Sequence, residues 1–184
     1  MKRIILCIIT VFVMIQPVYA DEGGLAKESE AYVKTTAPDK PTSPQLIIDK
    51  VNEACTLLQA EGTAAYPKFK GKGSKYLFEG TYIWIHSVDE SEMLMHPIKH
   101  KLVGKKLIGL KDKTGKRFFS VMSKVVNENG SGWVSYLWPK PGSKEYSKKV
   151  SFVKKCTMAD KREVVIGCGL YNYSDADLKK LTIN

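Results

Sequence analysis

The residues best suited to holding a small molecule are concentrated in one stretch, residues 130–154. Residues 131–138 alternate in character and are rich in aromatic and β-branched types, which is typical of a half-buried strand. Two prolines and a glycine at 139–142 cannot continue a central strand, so the chain is predicted to turn there and to return along 150–156. The hairpin brings tryptophans, tyrosine and lysines together. That combination predicts a cup for a small anionic or amphipathic ligand.

Side chains on a strand point to alternate faces, so the hairpin residues divide into two sets. Tyr136 and Trp138 share one face of the outgoing strand, while Trp133 points to the other. On the return strand, Lys149 and Ser151 share a face. We therefore expect that Trp133 cannot line the same cup as Tyr136 and Trp138.

The remaining elements indicate an α+β fold. A helix is predicted from Pro44 to Ala60, because Ser-Pro is a favoured helix start and apolar residues recur at helical spacing. Further strands are predicted at 81–88, with Tyr82 and Trp84 on one face, and at 93–96. A helix at 116–128 connects them to the hairpin, and a last strand follows at 164–171. The order predicts a five-stranded antiparallel sheet, with helices at one face and a helical crossover between strands 2 and 3.

The N-terminal residues predict export of this basic, 184-residue chain, whose formal net charge is +10. Residues 1–20 show a positive start, an apolar run and a small residue before Asp21, which is the pattern of a secretory signal peptide. An uncleaved membrane anchor is the alternative. Either location makes nucleic acid an unexpected partner. Residues 21–43 are polar and contain two prolines, so they are predicted to form a flexible leader before a single domain at 44–184.

Three cysteines remain after the signal peptide: Cys55, Cys156 and Cys168. Cys55 lies in the apolar stripe of the first long helix, where a buried thiol is expected. If Asp160 pairs with Val164, Cys156 and Cys168 lie opposite each other on neighbouring strands, and a disulfide between them becomes feasible. The sequence alone leaves the pairing open.

No catalytic or metal-binding pattern is evident, so we expect a protein that is not an enzyme and has no cofactor. Pro97 interrupts any helix that could align His96 with His100, and no cysteine or acidic pair stands nearby at metal-ligand spacing. No nucleophile elbow is present.

The series of motifs resembles a single Cache domain, a PAS-like extracytoplasmic sensor module. The resemblance is carried by EGTAAYPKF, GTYIWI, MHP with GKKL seven residues later, GSGWVSYLWPKPG, KVSFVK and VVIGCGLY, in that order. Departures include Phe152, where the family often has tyrosine, and the chain shows no second span or cytoplasmic output domain. The resemblance implies a long N-terminal helix lying along a five-stranded antiparallel sheet, with a pocket for small molecules on the sheet.

A short carboxylate needs a cation, hydrogen-bond donors and apolar walls, and the predicted strands supply all three. Lys149 is the expected cation, because the resemblance places it on the family's pocket strand. Tyr82, Tyr136 and His96 are expected donors. The candidate walls are Trp84, Trp133 and Trp138. Core packing is the alternative role for the aromatic residues, and solvation is the alternative for the lysine.

Two functions follow from these observations. The first is an exported, sensor-type module that binds a short organic acid or related metabolite, working with a membrane receptor or kinase and able to form a homodimer through its N-terminal helix. The second is a basic interaction protein that docks on an acidic partner or envelope surface without a small ligand. A buried Lys149 facing Tyr136 would favour the first. An exposed lysine face with a collapsed pocket would favour the second.

Overall fold

Six antiparallel strands and three α-helices make up the computed structural model, which describes residues 21–40, 42–173, 177 and 181. The predicted signal peptide lies outside these residues. The helices are α1 (Glu22–Thr35), α2 (Pro44–Glu61) and α3 (Phe118–Asn129), with 3-10 turns at Gly62–Phe69 and His100–Leu102. The strands are β1 (Leu77–Phe78), β2 (Thr81–Ser87), β3 (Met93–Met95), β4 (Ser131–Pro139), β5 (Tyr146–Thr157) and β6 (Glu163–Tyr171).

The sheet confirms the predicted α+β architecture. Its order is β1-β2-β6-β5-β4, and the short β3 pairs with β2. The five predicted strands are all present, and the two-residue β1 is an addition. The predicted hairpin is β4 and β5, in which Tyr136 lies opposite Lys149 and Trp133 opposite Phe152. The connection from β3 through α3 to β4 is the expected helical crossover.

Each face of the sheet is covered by a different helix, so the prediction of helices at one face is wrong. Helix α2 buries Ile47, Val51 and Leu58 against one face. Helix α3, with the loop that precedes it, covers the opposite face, which carries Tyr82 and Tyr136. The two helical layers, the six strands and the disulfide described below lie within residues 21–173. No helix in the described part of the chain is long and apolar enough to span a bilayer.

Residues 22–35 differ from the flexible leader that their polar composition predicts, because they form helix α1. The carboxylate of Asp21 caps it by accepting a hydrogen bond from the Gly24 backbone N–H at 3.0 Å. Ser29 is fully buried and accepts a hydrogen bond from the Gly71 backbone N–H at 2.8 Å. The Ser29 contact docks the helix, which buries only Ala26, Ser29 and Val33, so hydrophobic periodicity does not reveal it.

The pairing of Cys156 with Cys168, which the sequence left as one possibility, does not form. The disulfide joins Cys55 to Cys156, with an S–S distance of 2.04 Å, and Cys168 is a buried free thiol. The β5–β6 turn sets Cys156 opposite Val164, whereas Cys168 lies opposite Phe152. Cys55 is consequently not a free core thiol either. It sits on the buried stripe of α2, which crosses the face of β5 that carries Cys156.

Candidate functional site

A small cavity lies between the sheet and the layer formed by α3 and the loop before it. Ten side chains line it: Tyr82, Trp84, Met93, His96, Leu102, Phe118, Phe119, Tyr136, Trp138 and Lys149. Its volume is about 10 Å³, which is enough for roughly one water molecule. The strands contribute the polar groups, and α3 and the loop contribute an apolar cover. The structure thus brings together six of the seven residues predicted to bind a ligand.

Lys149 is the central polar residue of this cavity, and only 1% of it is exposed. Its Nζ donates a hydrogen bond to the Tyr82 hydroxyl at 3.3 Å. The same atom lies 4.4, 4.9 and 4.8 Å from the ring centroids of Tyr82, Trp84 and Tyr171. These distances allow cation–π attraction to three rings. Lys149 is therefore enclosed by aromatic groups.

No aspartate or glutamate among the described residues forms an ion pair with Lys149. Burial without such a partner lowers the pKa of its ammonium to about 7. The Cys168 thiol opposes this shift and Lys99 adds to it. The site thus places a cation that an incoming anion can neutralise in surroundings of low polarity.

Two glycines of β6 make room for the large side chains on this face. Gly167 lies opposite Trp84 and Gly169 lies opposite Ser151. A Cβ at residue 167 would overlap the indole of Trp84, and one at residue 169 would overlap the side chain of Lys149. Glycine at alternate positions of a strand marks a close approach of neighbouring groups. Here it lets the indole and the lysine lie flat against the sheet.

Hydrogen-bond donors converge on the same space. The hydroxyls of Tyr136 and Ser151 are 2.9 Å apart, and both residues are buried. The buried indole N–H of Trp84 has no hydrogen-bond partner in the described residues. A buried donor without an acceptor is unfavourable and is rare in folded proteins. An acceptor entering the cavity would satisfy it.

His96 is held as a neutral donor. Its Nδ1 accepts hydrogen bonds from the backbone N–H groups of Ile98 and Lys99, at 3.3 and 3.0 Å. The ring proton therefore sits on Nε2. Burial, reinforced by the nearby charge of Lys149, keeps the pKa of His96 well below its ordinary value. The centroid of its ring lies 5.0 Å from that of Tyr82, and the two ring planes are tilted by 48°.

Trp133, the seventh predicted residue, does not reach the cavity. It lies on the opposite face of the sheet, in the core beneath α2, with its ring 5.3 Å from that of Phe152. The alternation of side chains along β4 requires this, as the sequence indicated.

Sequence reasoning did not identify several residues of the site. Phe118 stacks on Tyr136, with ring centroids 4.4 Å apart and planes 4° apart. Leu102 and Met93 complete the apolar cover. The helical stripe of α3 predicts that Phe118 is buried but does not say against which strand. Ser151 carried a usable signal, because it shares a strand face with Lys149.

The chain resembles known sensor proteins along much of its length. A family model described as a Cache domain (dCache_2) matches residues 71–180. The methyl-accepting chemotaxis protein McpP of Pseudomonas putida is 32% identical over 90 residues, which are 49% of this chain and 16% of that protein. The chain thus spans only a small part of the length of this curated relative.

Solved structures support the same relationship. One described as a periplasmic sensor domain of a chemotaxis protein has 30% identity and a TM-score of 0.56, covering 70% of this chain and 94% of its own. A Cache chemosensory domain described in terms of carboxylic acid recognition has 27% identity and a TM-score of 0.56, covering 78% and 95%. A methyl-accepting chemotaxis protein from Vibrio parahaemolyticus, 18% identical with a TM-score of 0.52, covers 69% and 82% and shares the fold. Because the family model spans more than half of the sequence, this chain belongs to the Cache domain family, as a single sensor domain.

Proposed function

We propose that this chain is an extracytoplasmic sensor domain that binds a short organic acid in the cavity around Lys149. The observation that carries the proposal is the buried ammonium group, which has no acidic partner in the described part of the chain. A carboxylate would supply the missing negative charge. A bound carboxylate also fits the recognition of carboxylic acids by a structural relative.

The donors around Lys149 suit the two oxygens of a carboxylate. One oxygen would accept from Nζ of Lys149 and from a tyrosine hydroxyl. The other would accept from the indole N–H of Trp84, whose lack of a partner the ligand would relieve. Hydrogen bonds to a charged group are among the stronger ones in proteins, and the apolar cover would strengthen them further.

The size of the cavity favours the smallest acids. In this structure it has room for about one water molecule. Entry of a ligand therefore requires the cover to move, and Leu102 and Phe119 are the side chains placed to do so. Such a movement would link ligand binding to the loop and to α3, and a change of this kind is what a sensor domain transmits.

A membrane receptor or kinase is the proposed partner that reads the bound state, and α2 is the proposed homodimer contact. The predicted signal peptide would place the domain outside the cytoplasm. These assignments stay predictions.

The test is a thermal-shift screen of residues 21–184 against short mono- and dicarboxylates, amino acids and amines. A ligand at 100 times its dissociation constant stabilises the folded state by about 2.7 kcal/mol, which corresponds to a shift of roughly 5–10 °C at this chain length. We expect a carboxylate to give this shift and Lys149→Met to abolish it. Lys148→Met, on the same strand with an exposed side chain, is the matched control.

A second measurement separates carboxylate binding at Lys149 from binding elsewhere. Because a carboxylate binds the ammonium form, affinity should fall by up to tenfold for each pH unit above about 7. Isothermal titration at pH 7 and pH 8.5 would detect this fall. A carboxylate that binds the Lys149→Met variant as tightly as the unchanged protein would rule out this site.

A further inference from the structure

The loop between β3 and α3 carries much of the positive charge of the molecule. Residues 99–117, here named the basic loop, contain eight lysines and arginines and one aspartate, in a chain whose net charge is +10. Six of the cations are exposed: Lys101, Lys105, Lys106, Lys111, Lys113 and Arg117. One of them, Lys106, is paired with Glu90 at 2.7 Å. The loop therefore presents a strongly cationic surface.

The acidic residue of the loop offsets one of its eight positive charges, and its carboxylate is directed into the fold. Asp112 is 7% exposed. One carboxylate oxygen accepts hydrogen bonds from the backbone N–H groups of Thr114 and Lys116, at 2.8 and 3.0 Å. The other accepts from the backbone N–H of Leu137 at 3.0 Å. Asp112 thus anchors the loop to β4.

Exposed apolar side chains lie among these cations. Val103 is 42% exposed and Ile108 is 37% exposed. They are five residues apart, so their backbones are within about 18 Å of each other. Tyr146, 46% exposed, adjoins the loop, since the Lys113 ammonium lies 5.1 Å from its ring centroid. In the described residues these three are the large hydrophobic side chains with the greatest exposure.

Backbone hydrogen bonds hold the basic loop in this conformation. The Gly104 N–H donates to the Met93 carbonyl at 2.8 Å, and the Met93 N–H donates to the Lys105 carbonyl at 3.0 Å. Further along, the Ile108 N–H donates to the Glu90 carbonyl at 3.2 Å. The loop is fastened to β3 and to the turn before it. Val103 and Ile108 are therefore held at the surface by the fold.

We propose that the basic loop docks this domain on an anionic phospholipid bilayer. Lysine is depleted at protein–protein interfaces, whereas clustered lysines are attracted to acidic lipid headgroups. Exposed aliphatic side chains among those cations would enter the interfacial region of the bilayer while the ammonium groups contact phosphates. This docking does not depend on a ligand in the cavity.

The test is co-sedimentation of residues 21–184 with vesicles of phosphatidylglycerol and phosphatidylcholine, compared with phosphatidylcholine alone. Each lysine at an acidic surface contributes about fivefold to binding. The triple variant Lys101→Gln, Lys105→Gln, Lys111→Gln should therefore bind roughly a hundredfold more weakly. Val103→Ser with Ile108→Ser should weaken binding by about tenfold through lost apolar contact.

A matched control removes the same charge elsewhere, by Lys27→Gln, Lys72→Gln and Lys124→Gln. The proposal expects this control to keep most of the binding, and circular dichroism confirms that each variant is folded. Three results would overturn it. The first is that the unchanged protein does not bind the acidic vesicles, and the second is that the two triple variants lose equal amounts of binding. The third is that the protein binds polyglutamate as tightly as it binds vesicles, with no effect of the Val103 and Ile108 substitutions.

Discussion

Replacing Lys149 with methionine should stabilise the unliganded protein and change how its stability depends on pH. Methionine is similar in length and apolar, so it can occupy the same enclosed space. Burial lowers the pKa of Lys149 to about 7 from an ordinary value of 10.5. Between these two pH values the unfolded chain binds more protons than the folded one, so stability rises with pH across this window. Methionine does not titrate and removes this dependence.

The size of the effect follows from the pKa difference. The difference between a pKa of 10.5 and one of about 7 corresponds to about 5 kcal/mol for the fully protonated group. At pH 7, where the buried amine is half protonated, the remaining penalty is about 4 kcal/mol, and at pH 9 it is about 2 kcal/mol. The unchanged protein should therefore gain about 2 kcal/mol of unfolding free energy from Lys149 between pH 7 and pH 9. The variant should lack this gain and be more stable at pH 7.

Urea unfolding at pH 7 and pH 9, with the disulfide intact and no carboxylate buffer, measures both quantities. Lys148→Met controls for the loss of a lysine from the same strand and should keep the pH dependence of the unchanged protein. Equal pH dependence in the Lys149→Met variant and the unchanged protein would refute the reasoning. So would a Lys149→Met variant that is less stable at pH 7, because the buried ammonium would then be stabilising.

Three further changes test other features of the structure. Gly169→Ala should lower the unfolding free energy by about 1–3 kcal/mol and weaken carboxylate binding, because the new Cβ would overlap the buried Lys149. Gly109→Ala is the control, since a Cβ at residue 109 meets open space and should change neither quantity. Replacing Cys55 and Cys156 with alanine should lower the unfolding free energy by about 4–5 kcal/mol, because the bond closes a sequence separation of 101 residues. Burial lowers the pKa of His86 to about 4, so stability should fall by about 3 kcal/mol as the pH drops from 6.5 to 4, and His86→Phe should remove that fall in acid denaturation.

The sheet could be predicted because its signals are local. Strand β4 alternates so regularly that Trp133 could be assigned to the face opposite Tyr136, but the alternation did not show which of the two faces carries the cavity. Lys149 was expected in the site from the resemblance to the Cache family, and alternation along β5 adds only that it shares a face with Ser151. Alternation along the strands thus predicted which residues of β4 and β5 share a face of the sheet.

The rest depends on contacts between distant parts of the chain. The disulfide joins α2 to β5, and no local pattern shows which face of β5 the helix crosses. Phe118 was expected to be buried, but its stacking on Tyr136 depends on how α3 crosses the sheet. Helix α1 is docked by single hydrogen bonds such as that between Gly71 and Ser29, which leave no periodic signal.

The strand order has a consequence for how the chain acquires its structure. Strand β6 is the last to be synthesised, yet it lies between β2 and β5 at the centre of the sheet. Until Glu163–Tyr171 is available, β1, β2 and β3 form one unit and β4 and β5 another, with no strand pairing between the two. Assembly therefore depends on contacts of large sequence separation, which form slowly. A nascent chain that ends before residue 163 cannot complete the sheet, however long its N-terminal part has been free to fold.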